Sequence, residues 1–479
     1  MKSFELYFKA NPNSAKVGLG LKIRLEIARY ISVVRSPSHF YRRKRARYLT
    51  KKLILPLNGV APTLTLPWRL RLRLSKVSSV VLIFEKVRPA LYTIRKRTLS
   101  LDQVLLGGFH GVDASWLAIG SKPSVISIRL SESPHVQLLE SHLKTHGQLT
   151  DLEIAKSDYF LRGLYSIKLF GRYIGASNED ELIKVCRDFL SWFDRGKPLN
   201  HQHRGPKNAL PYVRKIKYSN CYAIVDGHHR LAIEYVKGKR EAEVVLGLGS
   251  RSTALQNRLL MIPWLKGRTE LYQPIDSPEL ETWTLARKCT DRFEMMRAFL
   301  EQRGLLPPVG LTDVPSPTYL DVGSFYGWFV KEMSNLGFDA SGVELDPLAR
   351  DIGADVYKID QEQITISEAS AFLVSADKKF DIVSCFSVLH HFALGRGPCS
   401  ASELMWQLSS STKSVLFFDT GEAHESWMRN VLPDWTPQFI ANWILENSDF
   451  TEVIPLGIDG DNRPPYEENY GRTLFAALH

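Results

Sequence analysis

The residues best suited to chemistry fall into two groups, each at a point where an apolar run meets a glycine. The first is Val225-Asp226-Gly227-His228-His229-Arg230, and the second is Leu320-Asp321-Val322-Gly323-Ser324 with a further glycine at Gly327. In both groups an acid ends the run, and a glycine permits a tight turn and the close approach of a ligand. A helix that begins at such a turn presents free backbone N–H groups. The sequence therefore predicts two ligand sites on strand-to-helix turns.

The second group is followed by another strand-like stretch that ends in an acid. Asp339-Ala340-Ser341-Gly342-Val343-Glu344 places Glu344 23 residues after Asp321. An acid at this position can accept hydrogen bonds from both ribose hydroxyls of a nucleoside. The glycines do not follow the G-x-G-x-x-G order of a dinucleotide site. The loop therefore differs from a typical dinucleotide site.

Three further stretches agree with this interpretation in order and spacing, at residues 356–360, 380–392 and 414–419. With D-x-G-x-x-x-G and G-V-E-L-D-P, they resemble class I S-adenosylmethionine-dependent methyltransferases over about residues 285–479. The resemblance implies a doubly wound, Rossmann-like α/β domain with a seven-stranded sheet and S-adenosyl-L-methionine as cofactor. A doubly wound domain that binds another nucleotide is the alternative. The cofactor-binding residues that the resemblance implies are Asp321, Gly323, Ser324, Gly327, Glu344, Leu345, Asp360 and Phe386.

His390 and His391 are the candidate catalytic residues of this domain, because they follow the fourth predicted strand, where the fold presents its substrate. Methyl transfer from a sulfonium is already downhill, so the protein mainly aligns the reactants and excludes water. A base is needed only when the acceptor is not ionised. One histidine would serve as that base or bind an anionic acceptor. In the other interpretation one is solvated and the other packs against Phe392.

The turn at residues 226–230 combines a helix N-terminus with histidine and arginine side chains, which favours an anion site. It resembles the D-G-x-H-R segment of the ParB/sulfiredoxin-like α+β fold, over about residues 120–250. The resemblance implies phosphate binding by Gly227, His228, His229 and Arg230, with ATP or CTP and Mg²⁺ as cofactors. Asp226 would bind the metal or act as a base, and the spacing of Asp226 and His229 is similar to that of ParB-like serine kinases.

Other interpretations of this turn remain open. A helix cap with solvated polar residues is one, and metal ligation by the two histidines is another. His228 stands where sulfiredoxins carry their reactive cysteine, which argues against reduction of sulfinic acids.

A chain of 479 residues is long enough for two or three domains, and these must hold the two sites. We predict a basic amphipathic region at 1–100, a ParB/sulfiredoxin-like domain at 101–250, a helical connector at 251–315 and the methyltransferase domain at 316–479. Within these, residues 179–193 and 292–303 are predicted helices, and a hairpin turns at Ser219-Asn220. Tyr272-Gln273-Pro274 and Trp283 are expected to pack the connector over the cofactor pocket.

The charge is distributed unevenly along the chain. Residues 1–100 contain 23 Lys or Arg and three acids, a net charge of about +20, whereas the whole chain carries +11. The remainder is therefore acidic, at about −9. The basic residues alternate with Leu, Ile, Tyr and Trp, which suits an anionic membrane surface. Binding to nucleic acid and the solvated face of a small basic domain are the alternatives.

The cysteines and the hydropathy bear on location. The five cysteines lie far apart and form no C-x-x-C, which favours reduced thiols and excludes a disulfide framework or a zinc site. No apolar run approaches the length of about 18 residues that a membrane span requires, and no signal peptide is recognisable. We predict a cytoplasmic protein, peripheral on the cytoplasmic face of the membrane.

Together these features predict a methyltransferase coupled to a nucleotide-binding domain with possible kinase activity. The acceptor would be a glycan or a small molecule, as in kinase–methyltransferases that cap bacterial O-polysaccharides. The alternative is a nucleic-acid-associated methyltransferase with a ParB-like DNA-binding module. Against the alternative, the fourth strand ends in Ser384-Cys385-Phe386-Ser387, without the [DN]-P-P-[YF] motif of amino-methylating DNA enzymes. The sequence does not determine the oligomeric state.

Overall fold

The computed structural model describes residues 95–106, 127–196, 210–308, 315–376 and 378–479. Nearly all of the predicted basic region at 1–100 lies outside the described residues, and so does its predicted membrane or nucleic-acid contact. The chain forms two compact units. The first ends at Gln256 and also takes in Ser277–Thr282, and the second comprises Asn257–Asp276 and Trp283–His479. The connector predicted at 251–315 is therefore shared between these units and does not form one of its own.

The first unit contains a six-stranded mixed sheet in the order β1-β6-β4-β5-β2-β3. Neighbouring strands are antiparallel in the pairs β1/β6, β4/β5 and β2/β3 and parallel in β4/β6 and β2/β5. The strands are β1 (Lys96–Ser100), β2 (Val104–Leu106), β3 (Ile128–Arg129), β4 (Tyr212–Ile216), β5 (Tyr222–Asp226) and β6 (Glu241–Arg251). The hairpin predicted at Ser219-Asn220 is confirmed as β4 and β5.

Among the described residues of the first unit, five helices lie wholly within it: α1 (Pro134–Lys144), α2 (Asp151–Lys156), α3 (Asp158–Phe170), α4 (Glu179–Arg195) and α5 (His228–Val236). Their starts follow from the sequence, since the side chains of Ser133, Thr150, Ser157 and Asn178 accept backbone N–H groups as helix caps. The α4 helix confirms the prediction at 179–193. These helices and the sheet share one hydrophobic core, which includes Val136, Tyr159, Phe189, Val213 and Leu231.

The second unit contains a seven-stranded sheet in the order β11-β10-β9-β12-β13-β15-β14. All neighbours are parallel except the pairs that contain β15. The strands are β9 (Thr318–Val322), β10 (Asp339–Glu344), β11 (Ile364–Ile366), β12 (Phe380–Phe386), β13 (Thr412–Asp419), β14 (Glu452–Ile458) and β15 (Thr473–Leu478). A separate parallel pair consists of β7 (Glu270–Leu271) and β8 (Thr284–Leu285).

Helices cover both faces of this sheet. They are α7 (Thr290–Gln302), α8 (Trp328–Asn335), α9 (Pro347–Tyr357), α10 (Ala369–Ser375), α11 (Leu389–Ala393), α12 (Ala401–Ser411) and α13 (Pro437–Glu446). A further helix, α6 (Ala254–Leu260), spans the position at which the first unit ends. Alternate strand residues enter two separate cores, with Tyr319 and Phe417 in one and Leu320 and Phe418 in the other. Successive side chains of a strand point to opposite faces, so the predicted doubly wound α/β domain is confirmed here.

Four of the five predicted strands are observed, and the third is wrong. The stretch predicted at 356–360 contains the end of α9, whereas β11 begins at Ile364. The reason is local, because Asp346 accepts the N–H of Leu348 as a helix cap and Pro347 occupies the first helical position. The helix predicted at 292–303 is confirmed as α7. Among the described residues, every helix is too short or too polar to cross a lipid bilayer.

Candidate functional site

In the second unit, the chain leaves β9 through residues 323–327, which we call the glycine turn. Gly323, Phe325 and Gly327 have positive φ angles of 79°, 54° and 81°, a conformation that glycine adopts freely and bulky residues rarely. The N–H groups of Gly323 and Ser324 both donate to the carbonyl of Val343 at 2.9 Å. The glycine turn is therefore fastened to the carboxyl end of β10.

Glu344, the acid predicted to bind ribose, lies beside this turn. Its Oε2 accepts the N–H of Phe325 and its Oε1 accepts the N–H of Asp346, both at 2.8 Å. Burial raises the pKa of Glu344, although these N–H groups oppose the rise. Each carboxylate oxygen can accept more than one hydrogen bond. Glu344 is therefore fixed in orientation and keeps acceptor capacity for two further hydroxyl groups.

Asp321 has a different environment from Glu344, because only 2% of it is exposed. Its Oδ1 accepts the hydroxyl of Ser384 at 2.6 Å, and the Ser384 oxygen lies 2.5 Å from the hydroxyl of Tyr319. Burial raises the pKa of Asp321 to about 7, and the nearby charge of Glu344 adds to the rise. The carboxyl therefore bonds to β12 within the sheet, and its predicted cofactor contact stays a prediction.

Gln273 holds the glycine turn from outside the sheet. Its Oε1 accepts the N–H of Tyr326 at 3.1 Å and that of Trp328 at 3.4 Å, while its Nε2 donates to the carbonyl of Ser324 at 3.1 Å. The neighbouring Tyr272 ring packs edge-on against Phe325, with ring centroids 5.1 Å apart. Sequence reasoning placed these residues near the pocket but did not give Gln273 this bonding role, since nothing in its type distinguishes it from a surface glutamine.

The other predicted cofactor residues differ in accessibility. Leu345 is 68% exposed beside Glu344, so an apolar face is open there. Ser324 is fully buried, and the Phe386 ring packs against Phe329 with ring centroids 4.7 Å apart. Asp360 lies after the end of α9 and before β11, and it caps the short helical turn at residues 361–363. Asp360 is therefore not at the end of the third strand, and its predicted contact with the cofactor stays a prediction.

His390 and His391 both lie in α11, after β12, but their environments differ. His390 is 4% exposed, and its Nδ1 accepts the N–H of Gly421 at 3.2 Å. Burial holds the pKa of His390 well below its ordinary value, and the charge of Arg472 acts in the same direction. His391 is exposed, and partial burial lowers its pKa less far. The catalytic role of either histidine stays a prediction.

A network of buried charges lies at the carboxyl end of β13, centred on Asp419. Its Oδ2 accepts Arg287 at 2.9 Å and Arg292 at 2.8 Å, and its Oδ1 accepts the N–H of Ser387 at 2.7 Å. Although burial alone would raise the pKa of Asp419, Arg287, Arg292 and Arg472 hold it well below its usual range. All four side chains are at most 3% exposed.

The same network ties the loop between β14 and β15 to the start of α7. Arg287 also contacts Asp459 at 3.2 Å and Asp461 at 3.3 Å. Arg472 forms a two-pronged pair with Glu425, at 2.7 and 3.0 Å. Sequence reasoning missed this network because its ion pairs join residues that lie 47 or more positions apart in the chain, and no spacing rule relates them.

In the first unit, the turn at residues 226–230, which we call the Asp226 turn, joins β5 to α5. Gly227 has a φ of 101°, and a Cβ there would lie 2.9 Å from Cβ of Pro211. No side chain caps the start of α5, so its first N–H groups remain available. The carboxylate of Asp226 lies 3.7 Å from the guanidinium of Arg230, and both side chains are partly exposed, at 31% and 25%. The structure thus brings the predicted acid, glycine and arginine together.

The two histidines of this turn face different surroundings. His229 is surrounded by aromatic rings, with Phe189 at 4.5 Å between centroids, and its Nε2 lies 2.6 Å from the hydroxyl of Tyr159. The His228 ring stacks on His135, a residue that sequence reasoning did not select, with centroids 5.7 Å apart. Burial lowers the pKa of His228 to about 4, so it is a neutral hydrogen-bonding group near pH 7. The catalytic role of His229 stays a prediction.

No group of three or more His, Cys, Asp or Glu within the described ranges is arranged to hold a metal ion. Asp226, the predicted ligand of Mg²⁺, is therefore not part of such a group, and its role as a ligand stays a prediction. The five cysteines are free thiols, and four of them are buried.

Comparison with known proteins supports a methyltransferase domain in the second unit. Residues 287–444 match the family model described as a methyltransferase domain. No curated protein matches the chain. The family model does not extend to the first unit, for which the ParB-like resemblance stays a prediction.

Among solved structures, the chain is similar to the bifunctional kinase-methyltransferase WbdD, with 16% identity and a TM-score of 0.36 over 47% of this chain and 46% of that one. It is also similar to the methyltransferase domain of bacterial CtHen1-CN, with 16% identity and a TM-score of 0.28 over 39% and 97% of the two chains. A third similar structure is magnesium protoporphyrin IX methyltransferase from Synechocystis PCC 6803, with 15% identity and a TM-score of 0.28 over 40% of this chain and 80% of that one. This chain thus spans less than half of WbdD.

Proposed function

We propose that the second unit transfers a methyl group from S-adenosyl-L-methionine to an acceptor. The observation that carries this proposal is Glu344, fixed at the end of β10 by the N–H groups of Phe325 and Asp346. Its remaining acceptor capacity suits the two hydroxyls of a ribose. The exposed Leu345 offers an apolar surface for the adenine, and the glycine turn lets the backbone approach the rest of the cofactor closely.

When bound, this cofactor supplies an activated methyl group on a sulfonium. The residues of the chain bind and orient it. Glu344 and the glycine turn hold the nucleoside, and α11 presents His390 and His391 after β12. In this arrangement the protein aligns donor and acceptor.

Calorimetric titration with S-adenosyl-L-methionine tests the proposal. The wild-type chain should bind it, and Glu344→Ala should weaken binding about thirtyfold, or about 2 kcal/mol, because two charge-assisted hydrogen bonds are lost. Glu446→Ala, at an exposed position that ends α13, should bind like the wild type. Equal affinities for all three proteins would contradict the assignment of the pocket.

For the first unit we propose binding of a nucleoside triphosphate at the Asp226 turn, with possible kinase activity. The support is the uncapped start of α5 beside the guanidinium of Arg230, since free N–H groups and a cation together favour phosphate. His228 lies in the first turn of α5 and would donate a hydrogen bond in its neutral form. Asp226 would bind Mg²⁺ or act as the base toward an acceptor hydroxyl.

ATP and CTP titrations with and without Mg²⁺ test this second site. Arg230→Ala should weaken nucleotide binding, and Asp226→Ala should abolish any nucleotide hydrolysis or autophosphorylation. Glu234→Ala is the control, because Glu234 lies on the same helix and pairs with Lys239. If Asp226→Ala and the wild type behave alike, the kinase proposal fails even when binding is retained.

The two activities together suggest a sequence in which an acceptor is phosphorylated and then methylated. A glycan or small molecule is the proposed acceptor, and residues 1–100 would contact an anionic membrane on its cytoplasmic face. Liposomes of anionic lipid and duplex DNA, each tested at two salt concentrations, distinguish membrane binding from nucleic-acid binding. Binding to DNA should fall steeply with salt.

A further inference from the structure

His390 accepts a hydrogen bond from a donor that cannot change its role. The backbone N–H of Gly421 donates to its Nδ1 at 3.2 Å, in a buried position. A backbone amide is always a donor, so Nδ1 must carry a lone pair. In a neutral imidazole the other nitrogen then carries the proton. The structure therefore fixes His390 in the tautomer with hydrogen on Nε2.

The surroundings of His390 also disfavour its cationic form. The ring is 4% exposed and packs against Trp427 and His391, with centroids 5.0 and 4.4 Å away. The charged groups near it are Arg472, Arg287 and Asp419, and the repulsion by Arg472 exceeds the attraction of Asp419. Protonation at Nδ1 would in addition break the bond from Gly421. His390 is thus a neutral side chain, chiefly because it is buried.

No hydrogen bond from Nε2 of His390 is found among the described residues, and this atom is not one of their fully buried polar atoms that lack a partner. It lies in α11, which follows β12 at the edge of the sheet where the glycine turn and Glu344 also lie. Parallel strands bring their carboxyl ends to one edge, and ligands bind there. The free N–H is therefore available to an acceptor beside the cofactor pocket.

We infer that His390 binds the methyl acceptor as a fixed hydrogen-bond donor through Nε2–H and does not act as a base, so that the acceptor atom is an oxygen already ionised at neutral pH. This inference rests on the proposed methyltransferase activity. Phosphate monoesters and carboxylates carry such an oxygen. One of its lone pairs forms the new O–CH₃ bond while the S–CH₃ bond breaks, and that bonding pair stays on sulfur, which becomes a neutral thioether. No proton is transferred in this step.

The tautomer can be read directly from the full-length protein labelled with ¹⁵N in its histidine rings. Two-bond ¹H–¹⁵N correlation spectra, with His390→Asn used for assignment, should show an unprotonated Nδ1 and a protonated Nε2 for His390. This pattern should persist to about pH 5.5, where an ordinary histidine with a pKa near 6.5 is mostly cationic. A proton on Nδ1, or titration near pH 6.5, would overturn the inference. If His390→Asn does not fold, His390→Gln provides the assignment, because its side-chain carbonyl can also accept the N–H of Gly421.

Titrations with orthophosphate, acetate and glycerol, each in the presence of S-adenosylhomocysteine, then test the acceptor class. The Nε2 signal of His390 should shift saturably with one or both anions and not with glycerol. A shift with orthophosphate alone identifies phosphate chemistry, and one with acetate alone identifies a carboxylate. The absence of a shift with both anions, or an equal shift with glycerol, overturns the acceptor class. Calorimetry on the same sample reports cofactor binding separately, so failure of the proposed function is distinguishable.

Discussion

The glycine turn and the Asp226 turn share one local pattern, a strand that ends in an acid followed by a glycine with positive φ and a helix. They differ in what surrounds the acid. Asp321 is 2% exposed and bonded to Ser384, whereas Asp226 is 31% exposed and lies 3.7 Å from Arg230. A buried, bonded carboxyl holds structure, and an accessible one can meet a ligand. The same pattern thus leads to a buried, hydrogen-bonded acid in the second unit and a partly exposed acid in the first.

The largest expected difference is in the free energy of unfolding, between a variant of Arg292 in the buried network and a variant of Arg230 in the Asp226 turn. Arg292→Ala should lower the free energy of unfolding by about 3–5 kcal/mol, because Asp419 loses a buried partner at 2.8 Å. Arg230→Ala should cost less than about 1 kcal/mol, because its ion pair is long and partly exposed. Chemical denaturation of both variants measures this. Equal losses would remove the distinction between a buried network and an open turn.

The second test places a methyl group against each turn. Gly353 lies in α9, where a Cβ would overlap the carbonyl oxygen of Tyr326 in the glycine turn. Gly353→Ala should therefore destabilise the second unit by about 3 kcal/mol and abolish binding of S-adenosyl-L-methionine. In Gly227→Ala the new Cβ would lie 2.9 Å from Cβ of Pro211. This variant should weaken nucleotide binding and leave the affinity for S-adenosyl-L-methionine unchanged. If either variant lost binding of both S-adenosyl-L-methionine and the nucleotide, the proposal of two separate sites would be contradicted.

The third test uses the pH dependence of Asp321. Burial raises its pKa to about 7, from about 3.9 in the unfolded chain. The folded state then binds more protons between these values, so this group lowers stability as pH rises from about 4 to 7. Asp321→Asn cannot ionise and keeps an acceptor for Ser384. It should raise the free energy of unfolding relative to the wild type, and this gain should be about 2–3 kcal/mol larger at pH 8 than at pH 5, which thermal melting at both pH values measures as a larger rise in Tm.

Asp321→Ala is the matched control for this pH effect. It removes the acceptor of the Ser384 hydroxyl, so the free energy of unfolding should fall by about 1 kcal/mol relative to Asp321→Asn at both pH values. The assignment of a buried carboxyl with a raised pKa would be wrong if Asp321→Asn had the same effect on Tm at pH 5 and pH 8.

The smallest effect is expected at Gln273. Its side chain makes two hydrogen bonds to the glycine turn and a third to the N–H of Trp328. Gln273→Ala should reduce the affinity for S-adenosyl-L-methionine about fivefold, or about 1 kcal/mol. Calorimetric titration measures the change. Gln438→Ala, at an exposed position in α13, should leave the affinity unchanged. A result equal to this control would mean that the turn keeps its conformation without Gln273.

The sequence alone determined the parts of the fold that depend on near neighbours. Apolar runs, acids and glycines in series predicted β9, β10, β12 and β13, because a buried parallel strand and its turn have a local composition. The same reasoning failed at residues 356–360, since an apolar end of a helix has the same composition as a short strand. Only the capping bond from Asp346 and the pairing of β11 with β10 separate these two cases.

The tertiary structure decided which polar residues meet and which are buried. Asp321 and Asp226 cannot be distinguished by sequence, because a pKa depends on solvent exposure and on partners far along the chain. Ser384 lies 63 residues from Asp321, and Arg287 lies 132 residues from Asp419. No local pattern encodes such distances. The tautomer of His390 likewise follows from the N–H of Gly421, which only folding brings to its ring.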